Sequence, residues 1–273
     1  MIQDIHPNIL HNEYIEKKPN NDSFILYYKE NTILSNNANG VITYPKYSDF
    51  QNIKANYIYL FRIDEHDFFL AQVESEIKIE GFTFENINLL RTSSPKYYAY
   101  AGVTAYHLNS WYKNNKYCGR CGHELVADKK ERMLLCEDCH NMIYPKISPA
   151  VIVAIYDGDK LLLTKYAGRE YTRYALVAGF VEIGETPEET VKREVMEEVG
   201  VKVKNIKYYK SQPWGFSESL LIGYFAELDG NSEITLDENE LSEAIWVERE
   251  KIEVQYDGIS LTNEMICKFK GDI

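Results

Sequence analysis

The chain of 273 residues lacks several features that would each identify a class of protein. No apolar run approaches the roughly eighteen residues that a membrane-spanning helix requires, and the first residues, MIQDIHPNIL, lack the basic and apolar segments of a secretory signal. Positive charge is scarce, because 30 Lys and Arg face 42 Asp and Glu, which gives a net charge of −12. A field of that sign disfavours sequence-independent binding to nucleic acid and to anionic membranes. We therefore expect a cytoplasmic protein without a membrane partner, in which any anionic ligand needs a local cationic pocket.

The sequence also has no internal repeat and no low-complexity linker, which argues against repeat arrays and loosely tethered domains. Residues 1–112 have the short alternating runs of a β-rich N-terminal domain, with turn-forming clusters such as Ser35-Asn36-Asn37 between them. The first 95 residues contain no recognisable chemical motif. Strands are predicted at 24–28, 41–44, 57–61 and 68–73, and a helix at 97–113.

Cysteine is scarce, but four of the five cysteines form two C-x2-C pairs with fourteen residues between the pairs. In a chain without a secretory signal, such pairs indicate a tetrahedral zinc site rather than disulfide bonds. Four thiolates leave no open coordination position, so this zinc would be structural. A ribbon that has lost its metal and a redox-active pair are the alternatives. The predicted zinc ribbon covers residues 113–145, with the ligands Cys118, Cys121, Cys136 and Cys139.

Residues 146–273 are predicted as a third domain. Residues 150–156 are almost wholly apolar, as expected of a strand that is buried on both faces. Residues 160–165 follow a short turn and return as its hairpin partner, and residues 175–181 form another strand. The whole chain is therefore predicted to be an α+β protein.

A helix with clear boundary signals follows these strands. Thr186 is a suitable N-cap, Pro187 suits the first turn, and Glu189 completes a capping box. Gly200 stands where a left-handed C-terminal glycine belongs.

This helix has an apolar arc and an acidic arc at about 100° per residue. The apolar arc comprises Val191, Val195, Met196 and Val199, and the acidic arc comprises Glu194, Glu197 and Glu198. Carboxylates at positions i, i+3 and i+4 repel one another, so a purely structural helix tends to avoid them. A hard cation such as Mg²⁺ or Mn²⁺ would convert this repulsion into affinity. A solvated acidic surface is the alternative.

The spacing from Gly179 to Val201 resembles the Nudix box, G-x5-E-x7-R-E-U-x-E-E-x-G-U, in which U is a bulky apolar residue. A chance match of its seven fixed identities has a probability on the order of one in a billion per starting point. The resemblance implies an α/β/α sandwich around a mixed sheet, and metal-dependent hydrolysis of a pyrophosphate. It assigns catalysis to Glu194, Glu197 and Glu198, and a supporting salt bridge to Glu185 and Arg193. The implied ligands of magnesium or manganese are Ala178, through its carbonyl oxygen, Glu194, Glu198 and Glu240, with Glu238 and Glu243 as neighbouring alternatives to Glu240.

Residues 211–219, SQPWGFSES, resemble the S-Q-P-W-P-F-P-x-S motif of the NADH pyrophosphatase branch of the Nudix superfamily. That branch also has a four-cysteine zinc ribbon upstream of the box. The resemblance implies cleavage of NADH or NAD⁺ to nicotinamide mononucleotide and AMP by a homodimer, and some such enzymes also remove NAD caps from RNA. The residues implied in substrate binding are Tyr144, Phe180, Gln212, Pro213, Trp214, Phe216 and Ser219.

The chain departs from this motif at Gly215 and Ser217, where the branch has prolines. The loss of two prolines frees the backbone, which would loosen substrate selection. For Trp214 and Phe216, ordinary core packing is the alternative to stacking on a substrate ring. Two further hypotheses about function stay open. One is hydrolysis of another dinucleotide such as ADP-ribose or a flavin dinucleotide, or mainly of NAD-capped RNA, and the other is an inactive Nudix module that binds nucleotides or partners.

Overall fold

The structure is a computed structural model that describes residues 1–50, 53–73, 77–168 and 173–272. Its internal contacts divide the chain into two units. The N-terminal unit comprises residues 2–146 and 215–218, and the C-terminal unit comprises Met1, 147–214 and the residues from 219 onward. Among the helices in the described ranges, none has the length and apolar character needed to cross a membrane.

Outside the ribbon, the described residues of the N-terminal unit form two four-stranded sheets and one long helix. One sheet has the strand order β1-β6-β7-β2, and the other has the order β3-β4-β5 with β8 paired to β4. These elements are β1 (Leu10–His11), β2 (Phe24–Leu26), β3 (Tyr28–Lys29), β4 (Thr32–Ala38), β5 (Val41–Thr43), β6 (Ala55–Ile63), β7 (His66–Val73), β8 (Thr83–Asn86) and α1 (Lys96–Asn114). Two short 3-10 helices, Tyr47–Phe50 and Ile87–Arg91, complete this part.

The turn predicted at Ser35-Asn36-Asn37 is wrong, because these residues lie inside strand β4. Ser35 pairs with Thr83 of β8, and Asn36 pairs with Thr43 of β5. The chain reverses only at Asn39 and Gly40, whose φ angles of 55° and 79° are left-handed. Asparagine and glycine are the residues that tolerate this conformation. Pairing with two partner strands therefore overrides the local turn preference of the preceding asparagines.

The ribbon belongs to the N-terminal unit and forms a three-stranded sheet of order β11-β10-β9. Its strands are β9 (Val126–Ala127), β10 (Leu134–Leu135) and β11 (Met142–Ile143). Arg132 connects the ribbon to the rest of the unit, because its guanidinium donates to the carbonyl of Leu60 and lies over the ring of Tyr14. The Tyr14 hydroxyl in turn donates to the carbonyl of Asp128, at 3.0 Å.

The C-terminal unit contains a six-stranded mixed sheet of order β15-β16-β12-β13-β17, with β14 paired to β12. Strand β12 runs parallel to β16 and antiparallel to β13 and β14. The elements are β12 (Ser148–Asp157), β13 (Lys160–Tyr166), β14 (Val177–Phe180), α2 (Pro187–Val199), β15 (Val203–Trp214), β16 (Ser219–Leu228), β17 (Leu241–Glu248) and α3 (Leu261–Lys270), with a 3-10 turn at Arg249–Lys251.

Strand β12 is buried on both faces, as its apolar sequence predicts. Val151 and Val153 point into a core with the valines of α2, whereas Ile152 and Ala154 point into a second core with α3. This alternation follows from the two-residue period of a strand. One helix therefore covers each face of the sheet, and the predicted α/β/α sandwich with a mixed sheet, within an α+β chain, is confirmed.

The boundaries of helix α2 are as predicted. Thr186 accepts from the amide of Glu189, and the Glu189 carboxylate accepts from the amide of Thr186, which completes the capping box. Gly200 ends the helix with a left-handed φ of 71°. The predicted arcs are wrong at two positions, because Met196 of the apolar arc is exposed, whereas Glu198 of the acidic arc is buried about 20° around the helix from Val191. Met196 lies about 140° around the helix from Val191, beyond the reach of the core.

Candidate active site

The candidate site begins where strand β14 passes beside helix α2. A Cβ atom added to Gly179 would overlap the carboxylate of Glu194. Only glycine therefore allows the strand backbone to approach the acidic side of the helix this closely. Ala178 precedes Gly179 on the same strand, and its side chain packs against the core that contains α3.

We expect Gly179→Ala to reduce turnover at least about a hundredfold, because the added methyl group must displace the Glu194 carboxylate and misplaced catalytic groups cost rate on that scale. Steady-state kinetics and cation affinity would both be measured. Gly119→Ala is the matched control, since its Cβ would have no atom within 4 Å. Unchanged kinetics in Gly179→Ala would show that the Glu194 position is not needed.

Glu185 and Arg193 form a two-point ion pair that joins the loop before α2 to the helix. Arg193 Nε lies 2.7 Å from Glu185 Oε1, and Arg193 Nη2 lies 2.9 Å from Glu185 Oε2. The Thr190 hydroxyl donates to the same carboxylate at 2.8 Å. These donors lower the pKa of Glu185 to about 2, with Arg193 as the largest cause and Thr190 as the second. The box motif does not mark Thr190, whose only signal in the sequence is its place one turn before the box arginine.

The ion pair predicts a specific pH dependence of stability. Because the folded pKa of Glu185 lies below its usual value of 4.5, the pair stabilises the fold above pH 4.5, and this contribution is lost as the pH falls towards about 2. Glu185→Gln should therefore unfold at a lower temperature than the wild type at pH 7, and the difference should shrink below pH 4. Thermal unfolding of both proteins between pH 7 and pH 2 measures this difference in unfolding temperature. A difference that does not change with pH would contradict the role of the Glu185–Arg193 ion pair.

Arg193 also contacts two further carboxylates of the box. Its Nη1 atom lies 2.7 Å from Glu194 Oε1 and 2.9 Å from Glu197 Oε2. Its Nη2 atom donates to the carbonyl of Phe180 at 3.0 Å. One guanidinium therefore fixes the loop, the strand end and the helix relative to one another.

The three glutamates of the acidic arc differ in their exposure. Glu198 is 2% exposed and Glu194 is 9% exposed, whereas Glu197 is exposed. Burial raises the pKa of Glu194, which the Arg193 guanidinium opposes and the charges of Glu197 and Glu240 reinforce. Glu194, against the strand backbone, and Glu198, one helical turn further on, offer carboxylate oxygens of the kind that hard divalent cations prefer. The residues present therefore fit a divalent metal ion.

Glu240 and Glu243 occupy different surroundings, although both are near the predicted distal ligand position. Glu240 is exposed in the turn before β17 and acts electrostatically on Glu194. The carboxylate of Glu243 is engaged elsewhere, at 3.0 Å from Lys165 Nζ and 2.9 Å from the Tyr174 hydroxyl. These contacts favour Glu240 over Glu243 as a ligand near the box.

The residues predicted to bind substrate are distributed over both units. Phe180, beside the box glycine, has a 55% exposed side chain that is available for stacking. Gln212 is fully buried, and its amide donates to the carbonyl of Ile259 and accepts from the amide of Leu261. Gln212 thus holds the start of α3, a contact remote in sequence that local patterns do not reveal. Trp214 and Ser219 are paired at the ends of β15 and β16.

Pro213 lies within the C-terminal sheet, whereas two other positions of the predicted substrate set, Phe216 and Tyr144, lie outside it. Pro213 is exposed within β15. Phe216 belongs to the N-terminal unit, where the guanidinium carbon of Arg91 lies 4.5 Å from its ring centroid. Tyr144 also belongs to that unit, and its hydroxyl donates to Glu131 at 2.7 Å.

Gly215, where the resembling branch has proline, also lies in the N-terminal unit. A Cβ atom at this position would overlap the carbonyl oxygen of Val103 in α1. The departure from the motif therefore coincides with close packing against the helix rather than with an open loop.

The four ribbon cysteines converge on one point, as predicted. Their ligand atoms lie within 4.8 Å of one another, with 3.6 Å between the sulfurs of Cys118 and Cys139 and 3.4 Å between those of Cys121 and Cys136. Zinc with four bonds of about 2.3 Å needs sulfurs about 3.8 Å apart. The donor set and spacing fit a structural zinc ion.

The two cysteine turns have the same backbone construction. The residue after the second cysteine of each pair has a left-handed φ, with 80° at Gly122 and 58° at His140. The amide of each of these two residues donates to the carbonyl of the first cysteine of its pair. Glycine at position 122 suits this left-handed conformation because it has no Cβ atom.

Comparisons with known proteins identify both parts of this architecture. Residues 146–268 match the model of the NUDIX domain, and residues 113–144 match that of the NADH pyrophosphatase zinc ribbon domain. Proteins of Escherichia coli O1:K1 / APEC and of strain SMS-3-5 / SECEC, both named NAD-capped RNA hydrolase NudC, are 48% identical over 139 residues. This match covers 51% of the chain and 54% of each relative, so the chain spans about half the length of the curated relatives it matches.

Among solved structures, a NUDIX hydrolase from Nitrosomonas europaea has 24% identity and a TM-score of 0.44, covering 50% of this chain and 80% of the other. The chain therefore contains a Nudix domain that is directly preceded by a zinc ribbon of the NADH pyrophosphatase type.

Proposed function

We propose that the chain hydrolyses the central pyrophosphate of NADH or NAD⁺, giving a nicotinamide mononucleotide and AMP. The observation that carries this proposal is the pair of buried carboxylates, Glu194 and Glu198, one helical turn apart, of which Glu194 lies against the backbone of Gly179. The zinc ribbon of the NADH pyrophosphatase type supports the choice of substrate.

The residues of the Nudix box are proposed to have different roles in metal binding and catalysis. Glu194 and Glu198, with the carbonyl of Ala178 and the carboxylate of Glu240, would hold magnesium or manganese, and Glu197 serves as a further ligand or as the base. A divalent ion held there neutralises phosphate charge and lowers the pKa of a water molecule for in-line attack on phosphorus. Arg193 orients Glu194 and Glu197 through its Nη1 contacts, and Glu185 holds Arg193 in place.

Substrate recognition is proposed for aromatic and polar side chains near the box and in the 211–219 segment. Phe180 offers an exposed ring face for a nicotinamide or adenine ring. Gln212 would support the segment through its contacts with the start of α3 rather than touch the substrate. Direct contacts are proposed for Tyr144, Pro213, Trp214, Phe216 and Ser219. We also propose that the chain forms a homodimer. We further propose three domains, with boundaries after residues 112 and 145.

A substrate panel tests this function on the purified full chain. Turnover of NADH, ADP-ribose, a flavin dinucleotide and NAD-capped RNA would be compared with Mg²⁺ and with Mn²⁺. We expect NADH to have the largest kcat/KM among the free dinucleotides. Higher kcat/KM for ADP-ribose would overturn the proposed substrate, and absence of all hydrolysis would favour a module that only binds nucleotides.

Removal of NAD caps from RNA is the second candidate function, because the relatives from Escherichia coli are named for that activity. The net charge of −12 disfavours long contacts with an RNA backbone. We therefore expect capped RNA to be cleaved with a kcat/KM that depends little on the length of the RNA. A strong increase with length would indicate a dedicated RNA surface.

A further inference from the structure

A second group of side chains with metal-ligating atoms shares Cys121 with the four-cysteine group. The sulfur of Cys121, a ring nitrogen of His123 and a carboxylate oxygen of Asp138 lie within 4.8 Å of one another. His123 Nδ1 is 3.4 Å from Asp138 Oδ2. His123 belongs to the first cysteine turn and Asp138 to the second, so the group joins both turns of the ribbon.

The charge of the ribbon favours a second cation at this place. One Zn²⁺ ion with four thiolates has a net charge of −2, and the carboxylate of Asp138 adds another negative charge within reach of Cys121. Sulfur, imidazole nitrogen and carboxylate oxygen together form a donor set that suits zinc, whereas Mg²⁺ prefers oxygen ligands alone.

We propose that Cys121, His123 and Asp138 bind a second zinc ion, and that the Cys121 thiolate bridges the two ions. Three protein ligands leave a fourth position for water, unlike the closed site of four cysteines. The His123 and Asp138 side chains are 62% and 57% exposed. The second ion is therefore bound more weakly than the first and exchanges with zinc in solution. This site is independent of the pyrophosphate chemistry.

Zinc stoichiometry tests the proposal on the full chain. The protein would be equilibrated with zinc at controlled free concentration, with excess Mg²⁺ to compete for the glutamates of the Nudix box. We expect two zinc ions per chain, of which one is removed by a weak chelator and one only by a strong chelator. His123→Ala and Asp138→Asn should each retain only the tightly bound ion.

His140→Asn is the matched control, because His140 lies in the same ribbon but outside the group, and asparagine tolerates its left-handed φ of 58°. This variant should keep both ions. Cobalt substitution gives a second readout, since the sulfur-to-cobalt absorption should increase in two steps in the wild type and in one step in Asp138→Asn. One zinc ion per chain in the wild type, or a weakly bound ion that survives both substitutions, would overturn the proposal.

Discussion

Replacing Glu198 by glutamine is expected to reduce turnover at least about a thousandfold while nucleotide binding stays largely intact, because catalytic base and metal contributions are of that size. Glu198 is 2% exposed and lies in the same buried region as the valines of α2. Glutamine has almost the same shape, so packing is preserved, but the negative charge that would hold a divalent cation is lost.

Two quantities would be measured for Glu198→Gln, namely kcat and the dissociation constant for NADH, the latter by calorimetry in the presence of Mg²⁺. Glu189→Gln is the matched control, because Glu189 is on the same helix and its role in the capping box can be taken over by glutamine. This control should keep its turnover. If Glu198→Gln still hydrolysed NADH at a comparable rate, the proposed role of Glu198 would be wrong, whatever the substrate proves to be.

The burial of Glu198 follows from helix geometry. Glu198 lies roughly 20° around the helix from Val191, so the face that packs on the sheet necessarily includes it. Met196, grouped with the valines by its apolar character, lies outside that face and is exposed. For Met196 and Glu198, angular position around the helix therefore predicts burial better than residue type does. A buried carboxylate such as that of Glu198 breaks the usual rule for a core, as functional residues often do.

Short sequence motifs were enough to predict those features of the site that depend on residues close together in the sequence. The capping box of α2 and the convergence of the four cysteines each depend on spacings of a few residues or on a paired motif. The close approach of Gly179 to Glu194 brings together residues fifteen positions apart. The box motif marks both of these residues, but only the fold shows why a side chain at position 179 is excluded.

Contacts between residues distant in sequence could not be predicted in this way. Gln212 and Ile259 meet only because α3 covers the sheet beside β15. Arg132 reaches the carbonyl of Leu60 only once the ribbon packs on strand β6. No periodicity or motif in a single sequence specifies such partners, because they depend on how complete elements dock.

Loss of the structural zinc is expected to have the largest effect on stability. Cys136→Ser removes a buried thiolate from the centre of four cysteines. Zinc binding by small metal-dependent domains contributes about 10 kcal/mol or more to folding, and the short strands of the ribbon offer little core of their own to replace it. We expect the free energy of unfolding of the N-terminal unit to fall by several kcal/mol, on the order of half that value.

The loss should extend beyond the ribbon itself. Arg132 and Asp128 connect the ribbon to the β-rich part through Leu60 and Tyr14, so amide hydrogen exchange should accelerate in strand β6 as well as in residues 113–144. Zinc content after dialysis against a strong chelator and thermal unfolding complete the measurement. Cys267→Ala is the matched control, because Cys267 is buried but lies outside the metal group. If Cys136→Ser retained tightly bound zinc and wild-type exchange in β6, the ribbon would not depend on its metal, and the four cysteines would need another explanation.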